Sequence, residues 1–274
     1  MNESHTKIHL HNGESLEDYA RQVQELFAEG DAYSAKSNSP KIAEVGEKLR
    51  ALGQAHNDPV TDAWGILYGG MSHSILRQFD EALTIFKSVL QSFDHLGVKA
   101  GTSRTLLNIG RIYSATEKLE DAKAFYEQAL AIELERENMK GLTRVLANMA
   151  TLYSQLHLYR EIQDIREQAI PIIERSGDRL ALAHILNDAS LTALVHLSEL
   201  QQALHYSEQA LQISLEIGDK VEESTALDRI GAVYWYMGDA GRSIEYYARC
   251  IAIAEELDYP FKLAGHLTNA AYTY

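Results

Sequence analysis

Apolar side chains recur at helical spacing along most of the chain, and the pattern itself returns about every 40 residues. The copy at 106–132 has counterparts at 66–90, 145–172, 185–213 and 226–253. Within each copy, apolar residues lie three or four positions apart along a first stretch and then along a second one. Each copy is therefore predicted to be a pair of amphipathic helices. A period of this size is typical of a solenoid, in which helical hairpins stack on one another.

Small residues hold fixed places in the predicted hairpins, where they would let the paired helices approach closely. In the first helix, the small residue and the position three residues later are Gly70 and His73, Gly110 and Tyr113, Ala150 and Tyr153, Ala189 and Thr192, Gly231 and Tyr234, and Ala271 and Tyr274. The turns agree with this division. Gly177 and Gly218 are suited to end a helix, and the Asp that follows each is suited to cap the next one.

Two of the copies share a fuller motif. Residues 106–113 and residues 227–234 both read L-x2-I-G-x2-Y, and each is followed by a small residue and then, four positions later, by an aromatic one. The motif resembles the tetratricopeptide repeat, and the resemblance covers about residues 58–274. The long period resembles the variety found in kinesin light chain and in bacterial signalling proteins. The resemblance implies an all-α fold, a right-handed superhelical solenoid of antiparallel helical hairpins with about six and a half repeats.

The chain divides into three predicted parts. Residues 1–14 are expected to be a flexible tail, residues 15–55 a divergent helical hairpin, and residues 56–274 the solenoid. The last helix would reach Tyr274 in mid-helix, without a cap and without a second helix to cover its apolar face. We therefore expect the native protein to continue beyond Tyr274.

The stretch 158–200 departs from the repeat. Ile162 stands at a small position, Arg166 at an aromatic position and Thr192 in place of tyrosine, while Pro171 lies inside a predicted helix that it should kink. Either the stretch is a hinge that reshapes the groove, or the changes are drift. A solenoid tolerates drift because its repeats contact only their neighbours, and this second interpretation is favoured.

Composition excludes several classes of function. The 274 residues carry 25 Lys and Arg against 39 Asp and Glu, a net charge of −14, and such an acidic surface repels the phosphates of nucleic acids. One cysteine, no apolar run of about 18 residues and no secretory signal predict a cytoplasmic protein with no membrane contact. Nucleotide, metal and hydrolase motifs are absent, so we expect no enzyme activity, no cofactor and no metal. Cys250 is expected to be a packed core thiol.

The resemblance implies that the first helices line a concave groove, and their inward positions are therefore the candidate peptide contacts. The candidates fall into three groups. The first is an asparagine ladder, Asn108, Asn148, Asn187 and Asn269, and the second is a group of cations, Arg104, Arg111, Arg144 and Arg229. The third consists of aromatic side chains at the two ends of the groove, Trp64, Tyr68 and Trp235. Asn187 joins the ladder if the third repeat has a two-residue loop insertion. Amides offer a donor and an acceptor to a peptide backbone, and Arg binds carboxylates, so an acidic peptide is the predicted ligand. Alternatively, these side chains tie neighbouring helices together.

These observations predict a protein- or peptide-binding scaffold or sensory module that uses the concave groove, as the N-terminal part of a larger bacterial signalling protein. One alternative is a regulator similar to peptide-pheromone receptors, although residues 15–55 show no helix-turn-helix. Another is a structural scaffold that forms a homodimer through the open repeat edge at 260–274.

Overall fold

The computed structural model describes residues 15–273, which form thirteen α-helices and, over that range, no strand. The helices are α1 (Leu16–Ala35), α2 (Ser39–Ala55), α3 (Pro59–Ile75), α4 (Phe79–His95), α5 (Lys99–Ala115), α6 (Leu119–Arg136), α7 (Met139–Gln155), α8 (Tyr159–Ser176), α9 (Arg179–Val195), α10 (Leu200–Ile217), α11 (Lys220–Tyr236), α12 (Ala240–Glu256) and α13 (Pro260–Thr273). They form six successive hairpins followed by α13. The first hairpin, α1 and α2, is the one predicted at 15–55. The predicted tail at 1–14 and the anchor Tyr274 lie outside the described residues.

The helices divide into two compact units, Met1–Arg136 and Glu137–Tyr274. Helices α1 to α6 belong to the first unit and α7 to α13 to the second. Within each unit a helix packs mainly against the helix before it and the helix after it. This is the contact pattern of stacked hairpins, in which stability comes from neighbouring elements.

The core of the first unit lies between successive hairpins and is built from large apolar side chains. Leu67, Phe86 and Ile109 are each at most 1% exposed. The predicted small position has a steric cause, because a Cβ added to Gly110 would lie 2.5 Å from the ring of Tyr126. Glycine at this place allows the ring of the second helix to lie directly against the backbone of the first.

Every turn between two described helices contains one residue with a left-handed backbone. Gly177 and Gly218 supply it with φ of 75° and 72°, as the sequence predicts. The aspartates that follow them cap α9 and α11, since Asp178 accepts from the N–H of Ala181 and Asp219 accepts from two N–H groups of the next turn. Local sequence therefore determines where these helices end and begin.

The small position of α9 is Ser190 and not Ala189, so the predicted register was wrong by one residue. The hydroxyl of Ser190 donates a hydrogen bond to the carbonyl of Ala203 at 2.8 Å. The following hairpin makes the corresponding contact in the opposite direction, since the hydroxyl of Ser243 donates to the carbonyl of Gly231 at 2.8 Å. Both contacts mark the place where the two helices of a hairpin cross.

Helix α8 is continuous from Tyr159 to Ser176, with Pro171 inside it. Proline lacks the N–H that would bond one turn back, but the helix does not end there. Ile162, at the predicted small position of this helix, is 2% exposed. The larger side chain is thus accommodated in the core of the second unit.

Candidate functional site

Asn108 and Asn148 occupy the same place, the tenth residue of α5 and of α7. Each donates an amide N–H to a carbonyl one turn earlier in its own helix, that of Arg104 or Arg144, at 2.8 Å. Neither side-chain oxygen accepts a hydrogen bond in the described structure. The two amides therefore each keep an acceptor, and Asn148, which is half-buried, presents it more openly than Asn108, which is 5% exposed.

Asn187 does not belong to this row. It is the ninth residue of α9, and Asp188 takes the tenth place. Asn187 is 3% exposed, and its Nδ2 donates to a carboxylate oxygen of Glu222 on α11 at 2.8 Å. The predicted loop insertion placed this residue wrongly, and its hydrogen bond ties α9 to α11. Here the alternative interpretation of the ladder, contact between helices, describes the geometry.

Asn269 and Arg229 hold the tenth place in α13 and α11, and both bind one carboxylate. Asn269 Nδ2 donates to Asp228 Oδ1 at 3.0 Å, and Arg229 Nη1 donates to Asp228 Oδ2 at 2.9 Å. His266 Nδ1 lies 3.0 Å from Oδ1. Burial raises the pKa of the Asp228 carboxyl, but the hydrogen bonds from His266 and Asn269 and the charge of Arg229 outweigh it and lower that pKa. These two predicted ligand contacts serve the junction of α11 and α13.

The same junction contains a series of Ser, His and Asp side chains. His266 Nε2 lies 3.1 Å from the hydroxyl of Ser224, which gives the outline of a hydrolase triad with Asp228 as its third member. The surroundings do not suit a nucleophile, because Ser224 is 5% exposed and lies inside α11. Backbone N–H groups there are committed to helical hydrogen bonds and cannot form an oxyanion hole. The series is a buried polar contact between two helices.

Cys250 lies in the same region and is fully buried. Its thiol donates to the carbonyl of Ser224 at 3.5 Å, and burial raises the pKa of the thiol well above its ordinary value. A thiol held in its protonated form is a poor nucleophile. Cys250 is therefore a packed core thiol, as the sequence predicts.

Arg104 and Arg229, two of the predicted cations, form ion pairs within the fold. Arg104 is 11% exposed and places Nη2 2.7 Å from the carboxylate of Asp31, in the first unit. Arg229 is paired as described above. Arg111 is exposed on α5, and Arg144 is half-buried on α7. Part of the positive charge that the sequence assigns to a groove therefore lies in ion pairs within the fold.

Tyr68 is a core residue of the first unit, which argues against its assignment to the ligand surface, and the half-buried Trp64 packs against the same core. The ring centroid of Trp64 lies 5.2 Å from that of Phe27 and 5.2 Å from that of Phe93. Tyr68 is 2% exposed and donates to the carboxylate of Asp31 at 3.2 Å. Aromatic side chains at helical spacing here fill the space between hairpins.

Trp235 is exposed, as a ligand contact would be. Its side chain is 43% exposed and forms an edge-to-face pair with Tyr236, which is 55% exposed, at 4.8 Å between centroids. Tyr236 is the last residue of α11, and Val195, 50% exposed, is the last residue of α9. Two first helices of the second unit, α9 and α11, therefore end in exposed apolar side chains.

A cavity of about 30 Å³ lies between α7, α8 and α9 in the second unit. It is lined by Thr143, Leu146, Ala147, Arg166, Ile173, Ala181, His184, Ile185 and Asp188. Arg166 is 6% exposed, and its Nη1 donates to Thr192 Oγ1 at 2.5 Å and to the carbonyl of Asp188 at 3.4 Å. Sequence reasoning did not assign Arg166 to a site. The one available signal was an arginine at an aromatic position, together with a threonine nearby, and these two departures from the repeat bond to each other.

Comparison with known proteins identifies the repeat. The sequence profile of the tetratricopeptide repeat matches residues 68–134, in the first unit, and residues 192–256, in the second.

Solved structures agree on the fold. BtubC (BKLC) from P. vanneervenii superposes with a TM-score of 0.65 at 18% identity, over 90% of this chain and 94% of that one. A signal transduction ATPase with numerous domains and a tetratricopeptide repeat sensor, from Pyrococcus horikoshii, gives 0.64 at 16%, over 96% of this chain and 44% of that one. The apo form of the quorum sensor NprR from B. thuringiensis gives 0.57 at 15%, over 91% and 69%. The predicted all-α fold of tetratricopeptide-like hairpins is confirmed.

None of the helices between residues 15 and 273 is long and apolar enough to cross a bilayer. Over the same range, no group of three or more His, Cys, Asp and Glu side chains is placed to hold a metal ion.

Proposed function

We propose that the chain binds a protein or peptide segment on the face formed by the first helices of its second unit, α7, α9 and α11. Tetratricopeptide repeats indicate interaction with other proteins, and the exposed pair Trp235 and Tyr236 carries the assignment to this face. Large aromatic side chains with a polar edge are enriched at protein interfaces, because they bury much apolar area while keeping a hydrogen-bonding group. Val195 extends the apolar surface to α9.

Polar groups on the same helices supply orientation. The free side-chain oxygen of Asn148 is an acceptor for a backbone N–H of the ligand, and Arg144 stands one turn away on α7. A hydrogen bond of this kind contributes about 0.5–1.5 kcal/mol net, so binding would draw mainly on the apolar contacts.

The remaining parts of the proposal are a sensory or scaffold role in the cytoplasm, within a larger bacterial signalling protein, and no catalysis in this chain. A sensory role is supported by the neighbours described as a tetratricopeptide repeat sensor and as a quorum sensor. The net charge of −14 argues against a nucleic acid partner. The buried position of Ser224 and Cys250 argues against their use as nucleophiles.

The test starts from a phage library of random nine-residue peptides selected on the full chain. Enriched peptides are made with an amidated C-terminus, and their Kd is measured by fluorescence anisotropy. The double variant Trp235→Ala/Tyr236→Ala should weaken binding at least tenfold because it removes the apolar anchor. Leu215→Ala, at a side chain 52% exposed on the second helix α10, is the matched control and should leave the Kd unchanged.

Two results would contradict the proposal. Equal losses in the double variant and in Leu215→Ala would place the site elsewhere, and so would a double variant that binds normally. Light scattering of the same proteins tests self-association. A dimer that forms in the absence of peptide and is lost in the double variant would assign this face to a second copy of the chain.

A further inference from the structure

Arg166 departs from the rule that governs the second helices. It is the eighth residue of α8. The eighth residues of the other five second helices carry no charge, and they are Gly46, Phe86, Tyr126, Ser207 and Tyr247. The rings of Phe86 and Tyr126 lie against glycines of the preceding helix. The side chain of Arg166 instead reaches the following helix, α9, where Thr192 accepts its hydrogen bond.

This reach places a cation at the inner wall of the cavity. Thr143, Ala147 and His184 line the cavity and are exposed, so they mark its mouth between α7 and α9. Arg166 and Ile173 line it and are buried, so they mark its inner end. A side chain entering from the first-helix face would meet the guanidinium after passing apolar walls.

The charge of Arg166 is incompletely satisfied. Its Nη1 donates hydrogen bonds to the hydroxyl of Thr192 and to the carbonyl of Asp188. Its Nη2 lies 3.8 Å from the Asp188 carboxylate, which is beyond hydrogen-bonding distance. The Asp188 carboxylate is itself 43% exposed. A buried guanidinium is stable when it is both paired and hydrogen-bonded, and here the pairing is loose. Donors on its accessible edge remain for a second carboxylate.

We propose that the Arg166 cavity is a subsite for one acidic side chain, Asp or Glu, of the peptide bound on the first-helix face. The proposal rests on the proposed function and adds the ligand chemistry. About 30 Å³ admits the tip of a side chain and no more. Arginine binds a carboxylate through two parallel N–H bonds, and the apolar walls suit the methylene groups that carry it. The negative charge of Asp188 at the same cavity repels a doubly charged phosphate more strongly than a singly charged carboxylate, which favours the carboxylate.

The experiment uses the full chain and the peptides enriched from the nine-residue library, each resynthesised with its Asp or Glu residues changed singly to Asn or Gln. At one peptide position this change should weaken binding to the wild type at least tenfold. Arg166→Met keeps an unbranched side chain and removes the guanidinium. It should therefore weaken binding of the acidic peptide by a similar factor and leave binding of the amide-substituted peptide unchanged. Arg175→Met, on the same helix with a side chain 58% exposed, is the matched control and should bind like the wild type.

Ala147→Phe provides a second variant that fills the mouth without touching the guanidinium, and circular dichroism verifies the fold of each protein. Ala147→Phe should also abolish the preference for the acidic peptide over the peptide in which that residue is an amide. Comparing amidated with free C-termini separates a side-chain carboxylate from a terminal one, since only the side-chain source should show the tenfold effect.

The outcomes separate the two proposals. The proposed subsite is overturned, and the proposed binding face left intact, if peptides bind the wild type equally well in their acidic and amide forms. The same conclusion follows if the preference for the acidic form survives both Arg166→Met and Ala147→Phe. A preference confined to the free C-terminus also overturns it. Failure of the library to yield any peptide overturns the proposed function together with the subsite.

Discussion

Gly69 and Gly110 lie in first helices of the first unit in opposite surroundings. A Cβ added at Gly69 meets nothing within 4 Å, whereas at Gly110 it would lie 2.5 Å from the Tyr126 ring. Gly110→Ala should therefore destabilise the protein by about 1–3 kcal/mol through overpacking. Gly69→Ala should stabilise it by up to about 1 kcal/mol through helix propensity. Urea unfolding followed by circular dichroism measures both, and shifts of the same sign would show that contact with the ring does not decide the effect.

Single residues also mark where sequence reasoning ends. Ala189 and Ser190 are both small and adjacent, so the pattern alone does not tell which one faces the second helix, and the hydrogen bond of Ser190 decides it. Arg104 is visible in the sequence as a cation, but its partner Asp31 lies 73 positions away, and no local pattern connects them. At such residues the sequence does not show that a predicted ligand contact also bonds to a distant part of the chain.

Whole helices were far easier to predict than their contacts. Apolar spacing and turn residues act within a few positions, which is why the hairpin at 15–55 and the hairpin that begins at Asp178 agree with the structure. Arg166 shows the limit at this scale. Its departure from the aromatic pattern was visible, but its contact with α9 depends on how α8 and α9 pack.

The junction of α11 and α13 should be sensitive to acid. The pKa of Asp228 is lowered in the fold, so its ionised form stabilises the folded state above the ordinary carboxyl pKa of about 4. That stabilisation is lost as the pH falls through the lowered value. Asp228→Asn should cost about 1–3 kcal/mol at pH 7, because His266, Asn269 and Arg229 lose a charged acceptor.

The measurement is urea unfolding of the wild type and Asp228→Asn between pH 7 and pH 3. The difference in free energy of unfolding should begin to shrink below about pH 4, where the carboxyl of the unfolded chain takes up a proton, and should disappear as the pH falls through the lowered pKa of the folded protein. Glu245→Gln is the control, since that carboxylate is exposed on α12 and accepts no hydrogen bond in the described structure, so its loss should matter little. A constant difference for Asp228→Asn across the range would contradict the role assigned to its charge.

At the scale of the whole molecule, stability in a solenoid is the sum of contacts between neighbouring elements, so a local weakness should spread only to nearby helices. Gly110→Ala acts in the first unit and Asp228→Asn in the second. In native-state hydrogen exchange, the first variant should speed exchange in peptides from α5 and α6, and the second in peptides from α11 to α13. Each variant serves as the control for the other, because each is expected to leave the other's peptides at the wild-type rate. Acceleration over the whole chain by either variant would mean that the two compact units open as one cooperative structure, and that the additive description of the repeats does not apply to this protein.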